Sequence, residues 1–136
     1  MKNTIKEYKI GAMNLPRVLY VDDEEINLEL LQLTFRNELE VITATSAKDG
    51  LQILDTNPDI EVVISDLKMP VMNGLDFIKE IKKNSQDRTC MLLTGFMESE
   101  IMMEGFNKEL IFRYIMKPWK KEVLMEAIQE GIRKQG

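Results

Sequence analysis

Ile60-Glu61-Val62-Val63-Ile64-Ser65-Asp66-Leu67-Lys68-Met69-Pro70-Val71-Met72-Asn73-Gly74 contains the change of pattern that decides the fold. Ile60 to Ser65 is a short apolar run, the pattern of a strand buried on both faces. It stops at an acid, Asp66. Gly74 to Lys83 then carries Leu75, Ile78 and Ile81 at helical spacing. The unit is strand, polar loop, helix, with a carboxylate at the strand's C-terminal end.

The same unit recurs on both sides. Upstream, Val18 to Val21 is an apolar run followed by Asp22-Asp23, and Ile26 to Leu39 repeats apolar residues (Leu28, Leu31, Phe35) at helical spacing. Glu40 to Ala44 is the next strand candidate. A helix follows with Ala47, Leu51 and Leu54 on one face, Ser46 as its N-cap and Asn57-Pro58 as its stop. Downstream, Thr89 to Thr94 is a strand and Ser99 to Asn107 a helix carrying Met102, Met103 and Phe106. Arg113 to Met116 is a fifth strand. Lys120 to Lys134 is a fifth helix, with Leu124, Ala127, Ile128 and Ile132 on one side. Five alternations predict an α/β fold, a doubly wound (βα)5 five-stranded parallel sheet with helices on both faces and right-handed crossovers. Residues 1–15 lack a clear period and read as a flexible or helical lead-in. Residues 16–136 read as one domain.

In such sheets ligands bind outside the C-terminal ends of the strands. Four of the five ends carry polar chemistry: Asp22-Asp23, Asp66, Thr94 and Lys117. The second strand ends in Ala44-Thr45, with nothing decisive. One acid at a turn is ordinary, but three acids, a hydroxyl and a lysine on one edge are not the residues of random turns. Three neighbouring carboxylates repel and favour a cation. An all-oxygen donor set without histidine or thiolate selects a hard ion, Mg2+ or Mn2+. Lys117 offers a point charge to a phosphate oxygen, and Thr94 a short hydroxyl. The set fits phosphoryl transfer to a carboxylate. Asp66 ends the central strand and is the nucleophile candidate, with Asp22 and Asp23 as metal anchors.

Composition bounds the rest. The chain has 136 residues, 44% hydrophobic and 30% charged, enough for one core. A net charge of −5 argues against a nucleic-acid surface. Lys117, Lys120 and Lys121 form the one basic cluster, and the outer two suit a solvated helix start. The absence of histidine excludes a histidine base, ligand or phosphohistidine within the chain. Cys90, in an apolar run, reads as a buried thiol, which with no secretory signal suggests a reducing cytoplasm. No apolar stretch approaches the length of a membrane helix.

Asp22-Asp23, the stretch Asp66 to Gly74, Thr94-Gly95 and Lys117-Pro118 together resemble the receiver domain of two-component response regulators over roughly residues 16–134. Asp23 to Asp66, Asp66 to Thr94 and Thr94 to Lys117 are 43, 28 and 23 residues apart. The resemblance implies a flavodoxin-like strand order, 2-1-3-4-5. It implies Asp66 as phosphoacceptor, Asp22, Asp23, Asp66 and the backbone carbonyl of Lys68 as metal ligands, and Thr94 and Lys117 as contacts to the phosphoryl group. Thr94 and Tyr114 become switch residues, altering the surface of the fourth helix, fifth strand and fifth helix. Pro118 matches a proline whose preceding peptide bond is usually cis. The donor would be a sensor histidine kinase or a phosphotransfer protein, and the receiver of the signal a downstream protein or an output domain absent from this sequence. The chain would catalyse only its own phosphorylation and dephosphorylation. Dimerisation through the last elements is left open.

Gly95 stands where a small residue, often alanine, is usual. Lys68 and Phe96 border the route of an attacking water and are expected to set the lifetime of the phosphorylated state; an unchanged dephosphorylation rate after swapping both for small polar residues would refute that. Trp119 suits packing or partner contact, as do Met97, Met102 and Met103. Three rivals compete. A haloacid-dehalogenase-type phosphatase wants Asp-x-Asp after the first strand and a capping domain. A phosphorylation-independent pseudo-receiver typically loses an acid of the set. A nucleotide-binding fold wants a glycine-rich phosphate loop.

Overall fold

A computed structural model describes residues 15–84, 87–95 and 109–135. Five strands form one parallel sheet in the order β2-β1-β3-β4-β5. They are β1 (Arg17–Val21), β2 (Glu40–Ala44), β3 (Val62–Asp66), β4 (Thr89–Thr94) and β5 (Arg113–Met116). Four helices are described: α1 (Glu25–Phe35), α2 (Ala47–Thr56), α3 (Gly74–Lys83) and α4 (Lys121–Gln135). This is the flavodoxin-like α/β architecture the alternation predicts. The helix expected over Ser99–Asn107, with Phe96, Met97, Met102, Met103 and Phe106, lies outside the described residues, as does the lead-in up to residue 14.

Strand periodicity divides the core in two. Val18, Tyr20, Val62, Ile64, Met91 and Leu93 face one side and pack with Leu28, Leu31 and Phe35 of α1 and Leu124, Ala127 and Ile128 of α4. Leu19, Val21, Val63, Cys90 and Leu92 face the other, against Leu54 of α2 and Leu75, Phe77, Ile78 and Ile81 of α3. Both sets are shut from solvent, which is why β3 and β4 read as continuous apolar runs.

Local signals set the helix ends. The Ser46 hydroxyl accepts from the Asp49 amide at 3.1 Å, capping α2. Asn73 does the same for α3, accepting from Asp76 N at 2.8 Å. Two boundaries differ from expectation. α1 stops at Phe35, and Leu39 is reached through a turn in which Glu38 N and Leu39 N both donate to the Phe35 carbonyl. Leu39 is buried all the same, so its apolar character reports core burial and not helix. β3 starts at Val62, while Ile60 before it is buried and its carbonyl is taken by Arg88 Nε at 2.7 Å.

Candidate functional site

Register carries the acids to one edge. Val21 of β1 pairs with Ser65 of β3, so Asp22 and Asp66 are each the next residue along neighbouring strands. Asp66 pairs with Leu93, which puts Thr94 one step further on β4, and Thr94 pairs with Met116, which puts Lys117 one step beyond that. The pairing continues past the strand ends, since Leu67 N donates to Leu93 O at 3.1 Å and Lys117 N to Thr94 O at 2.9 Å.

One carboxylate oxygen from each of Asp22, Asp23 and Asp66 lies within 4.8 Å of the others. Asp22 is fully buried, Asp66 nearly so, and Asp23 is exposed. Lys117 Nζ stands 2.8 Å from Asp66 Oδ1 and 3.8 Å from Asp22 Oδ2. Burial lifts the Asp66 pKa above the ordinary carboxylate value; Lys117 pulls it down only in part, and the charges of Asp22 and Asp23 push it further up. For Lys117 burial works against the ammonium, but the hydrogen bond and charge of Asp66, with the charges of Asp22 and Glu24, outweigh it and raise its pKa. A carboxylate that is costly to ionise beside two others fits a hard divalent cation, and the donors are all oxygen.

Asp22 is held by groups that sequence reasoning did not single out. Tyr20 donates its hydroxyl to Asp22 Oδ2 at 2.7 Å, Asn27 Nδ2 donates to the same oxygen at 3.2 Å, and the Glu24 amide donates to Oδ1 at 2.9 Å. Tyr20 lies two residues before Asp22 on one strand face, so period-2 reading could have found it. Asn27 sits in the first turn of α1 and bridges to Glu24 Oε1 at 3.1 Å. Gly74, the last residue of the Asp66 to Gly74 stretch, opens α3. A Cβ there would stand 2.3 Å from the Asp66 carbonyl and 2.7 Å from Leu92 Cδ2, so α3 meets β3 where only glycine fits.

The remaining predicted residues fall as follows. Thr94 is buried at the edge beside Asp66. Tyr114, on β5, is half-buried against the α2–α3 side of the core. Lys68 is exposed in the loop after Asp66. The Lys117–Pro118 peptide bond is cis. Trp119 packs on the core, its ring centroid 5.8 Å from that of Phe35. Of the outer lysines, Lys121 pairs with Glu38 at 3.0 Å, and Lys120 is exposed. Cys90 is buried, as its apolar setting predicts, and burial pushes its thiol up to about 11. No described helix is long and apolar enough to cross a membrane.

Residues 18–129 match the family model described as the response regulator receiver domain. The hydrogenase transcriptional regulatory protein HoxA of Cupriavidus necator is 31% identical over 119 residues, 88% of this chain and 24% of that protein. The chemotaxis protein CheY1 of Helicobacter pylori is 30% identical over 122 residues, 83% of this chain and 94% of that protein. The chain thus spans about a quarter of the larger curated regulators it matches, but nearly all of the chemotaxis protein. Among solved structures, a response regulator receiver domain protein of Clostridium thermocellum superposes with a TM-score of 0.83 at 34% identity, covering 89% of this chain and 97% of that one.

Proposed function

The chain belongs to the response regulator receiver domain family, and on that premise we propose that Asp66 is its phosphoacceptor. Receiver domains are signalling modules of two-component systems, and the family binds Mg2+ at an acidic pocket. The reading rests on one observation: Lys117 Nζ at 2.8 Å from Asp66 Oδ1, with Asp22 and Asp23 carboxylates within 4.8 Å of the same group.

An Asp66 carboxylate oxygen attacks the phosphorus of a phosphoimidazole on a sensor histidine kinase or phosphotransfer protein. The P–N bond breaks as the O–P bond forms, and the leaving imidazole nitrogen takes a proton from solvent. Asp22, Asp23, Asp66 and the Lys68 carbonyl would hold Mg2+ (or Mn2+), which when bound neutralises charge on the phosphoryl oxygens. Lys117, already poised on Asp66, turns its ammonium to a phosphoryl oxygen, and the Thr94 hydroxyl donates to another. Phosphorylation adds close to two negative charges in place of one. Thr94 and Lys117 end adjacent strands, so both are drawn toward the new charge. Tyr114, three residues before Lys117, follows that movement and alters the β5–α4 surface presented to a downstream protein or an output domain.

Intact-mass spectrometry after incubation with acetyl phosphate tests this, with and without Mg2+, on wild type and Asp66→Ala. A gain of one phosphoryl group, about 80 Da, that requires Mg2+ and vanishes in the variant is expected. A wild type that gains no mass with acetyl phosphate or with a phosphorylated kinase overturns the proposal and leaves a phosphorylation-independent interaction module.

A further inference from the structure

Helix α1 is apolar on two opposite faces. Leu28, Leu31 and Phe35 are buried in the core. Ile26, Leu30 and Leu33 lie on the other face and are 74%, 57% and 61% exposed. No other described helix turns three large apolar residues to solvent. Single exposed apolar residues are ordinary, whereas a contiguous stripe marks an interaction surface. The steps from Ile26 to Leu30 to Leu33 are four and three residues, and Asn37 follows four later. That is the spacing of a coiled-coil seam. Glu29 and Arg36, seven residues apart, flank the stripe on one side, the acid toward the N-terminal end and the base toward the C-terminal end. Both are exposed, and neither makes an ion pair among the described residues. The other flank holds the uncharged Asn27 and Thr34.

We propose that α1 pairs with α1 of a second copy of this chain, antiparallel, about a two-fold axis between Leu30 and Leu33. Each Leu30 then lies against the partner's Leu33, and each Glu29 faces the partner's Arg36. A parallel pair would set the charged flank of one helix against the uncharged Asn27–Thr34 flank of the other, so neither charge would be matched. A two-fold contact needs a patch that is its own complement. This patch has an acid at one end, a base at the other and apolar residues between, and that self-complementarity selects a second copy over an unrelated helix. The seam spans about three helical turns, so the dimer is weak and depends on concentration. Asn27, Leu30 and Thr34 also line a cleft of about 460 Å3 with Lys117, Pro118 and Trp119. The paired helix therefore lies over one wall of that cleft, beside the phosphoacceptor edge. The pairing itself stands whether or not Asp66 accepts a phosphoryl group.

Sedimentation equilibrium of the full chain tests this with no phosphoryl donor present, so its outcome is separate from the role given to Asp66. The weight-average mass of wild type should rise with concentration from that of one chain toward that of two. Glu29→Arg and Arg36→Glu should each stay at the mass of one chain, because each change sets like charges face to face. Mixed one to one, the two variants should associate as wild type does, since each supplies the charge the other lacks. Leu30→Asp should stay at one chain, alone or mixed. A wild type that remains at one chain at millimolar concentration overturns the proposal. So do single charge variants that associate as wild type does, or a mixture of the two that stays monomeric.

Discussion

Tyr20 of β1 and Asp22, the residue that follows the strand, are joined by a 2.7 Å hydrogen bond between two buried groups. Burial first, and then the hydrogen bond to Asp22, raises the Tyr20 pKa, so the phenol stays a donor wherever the fold survives. Tyr20→Phe removes that donor and leaves Asp22 with the Asn27 and Glu24 contacts. Groups that orient a metal ligand typically contribute tenfold to a hundredfold in affinity, so Mg2+ binding should weaken by about that factor. A Mg2+ titration followed by the fluorescence of Trp119, the single tryptophan, reads it; an unchanged midpoint would count against the role given to Tyr20.

Asp66→Asn should stabilise the magnesium-free protein. The folded-state pKa of Asp66 lies above the ordinary value, chiefly because of burial. Such a group contributes stability below its unfolded pKa and loses it as pH rises through the folded one. Wild type in chelator should therefore lose stability from the ordinary carboxylate range upward, and the variant should lack that part of the slope. Mg2+ should reverse the order by stabilising wild type more. Urea unfolding at several pH values, with and without Mg2+, gives the comparison; a variant less stable than wild type at neutral pH in chelator would contradict it.

Two glycines should respond oppositely to alanine. A Cβ at Gly74 meets the Asp66 carbonyl at 2.3 Å, and the backbone of α3 or β3 has to move. A loss of about 1–3 kcal/mol is expected, as for overpacked cores, with phosphorylation impaired. At Gly95 a Cβ meets nothing within 4 Å among the described residues, so Gly95→Ala should leave the unfolding midpoint in place. Equal effects of the two changes would refute the packing argument.

Val71 sits at φ 71° in the loop after Asp66, a left-handed conformation costly for a β-branched residue, and its side chain is fully exposed. Nothing is packed against it to be lost. Val71→Asn should raise stability by about 1 kcal/mol, the order of the left-handed penalty. A shift of the denaturation midpoint to lower urea would show that the loop relies on the valine.

Much of this molecule can be read from residue order. Alternating strands and helices, the caps at Ser46 and Asn73, and the polar ends of β1, β3, β4 and β5 each follow from a local rule, so the sheet and its chemical edge are legible. Arg88 shows what is not. Its guanidinium is buried and donates to the carbonyls of Ile60 at 2.7 Å, Asn57 at 2.9 Å and Leu54 at 3.2 Å, sealing the end of α2 against the start of β3. An arginine between two loops has no periodicity to betray this, because its partners are backbone oxygens about 30 residues away. Arg88→Met should cost about 2–4 kcal/mol, because several buried acceptors are left unsatisfied. A loss under half a kilocalorie by urea denaturation would show that water replaces the side chain.

The two outermost strands are the partly exposed ones. β5 has four residues with Arg113 and Met116 exposed, and β2 opens on the exposed Glu40. Their open sides would accept a further strand, and a flat apolar rim there would let sheets grow from molecule to molecule. The brevity of β5 and the charges of Arg113 and Glu40 work against that growth. A protein of this shape can be held at high local concentration, or joined to other domains, without its sheets fusing into continuous ribbons.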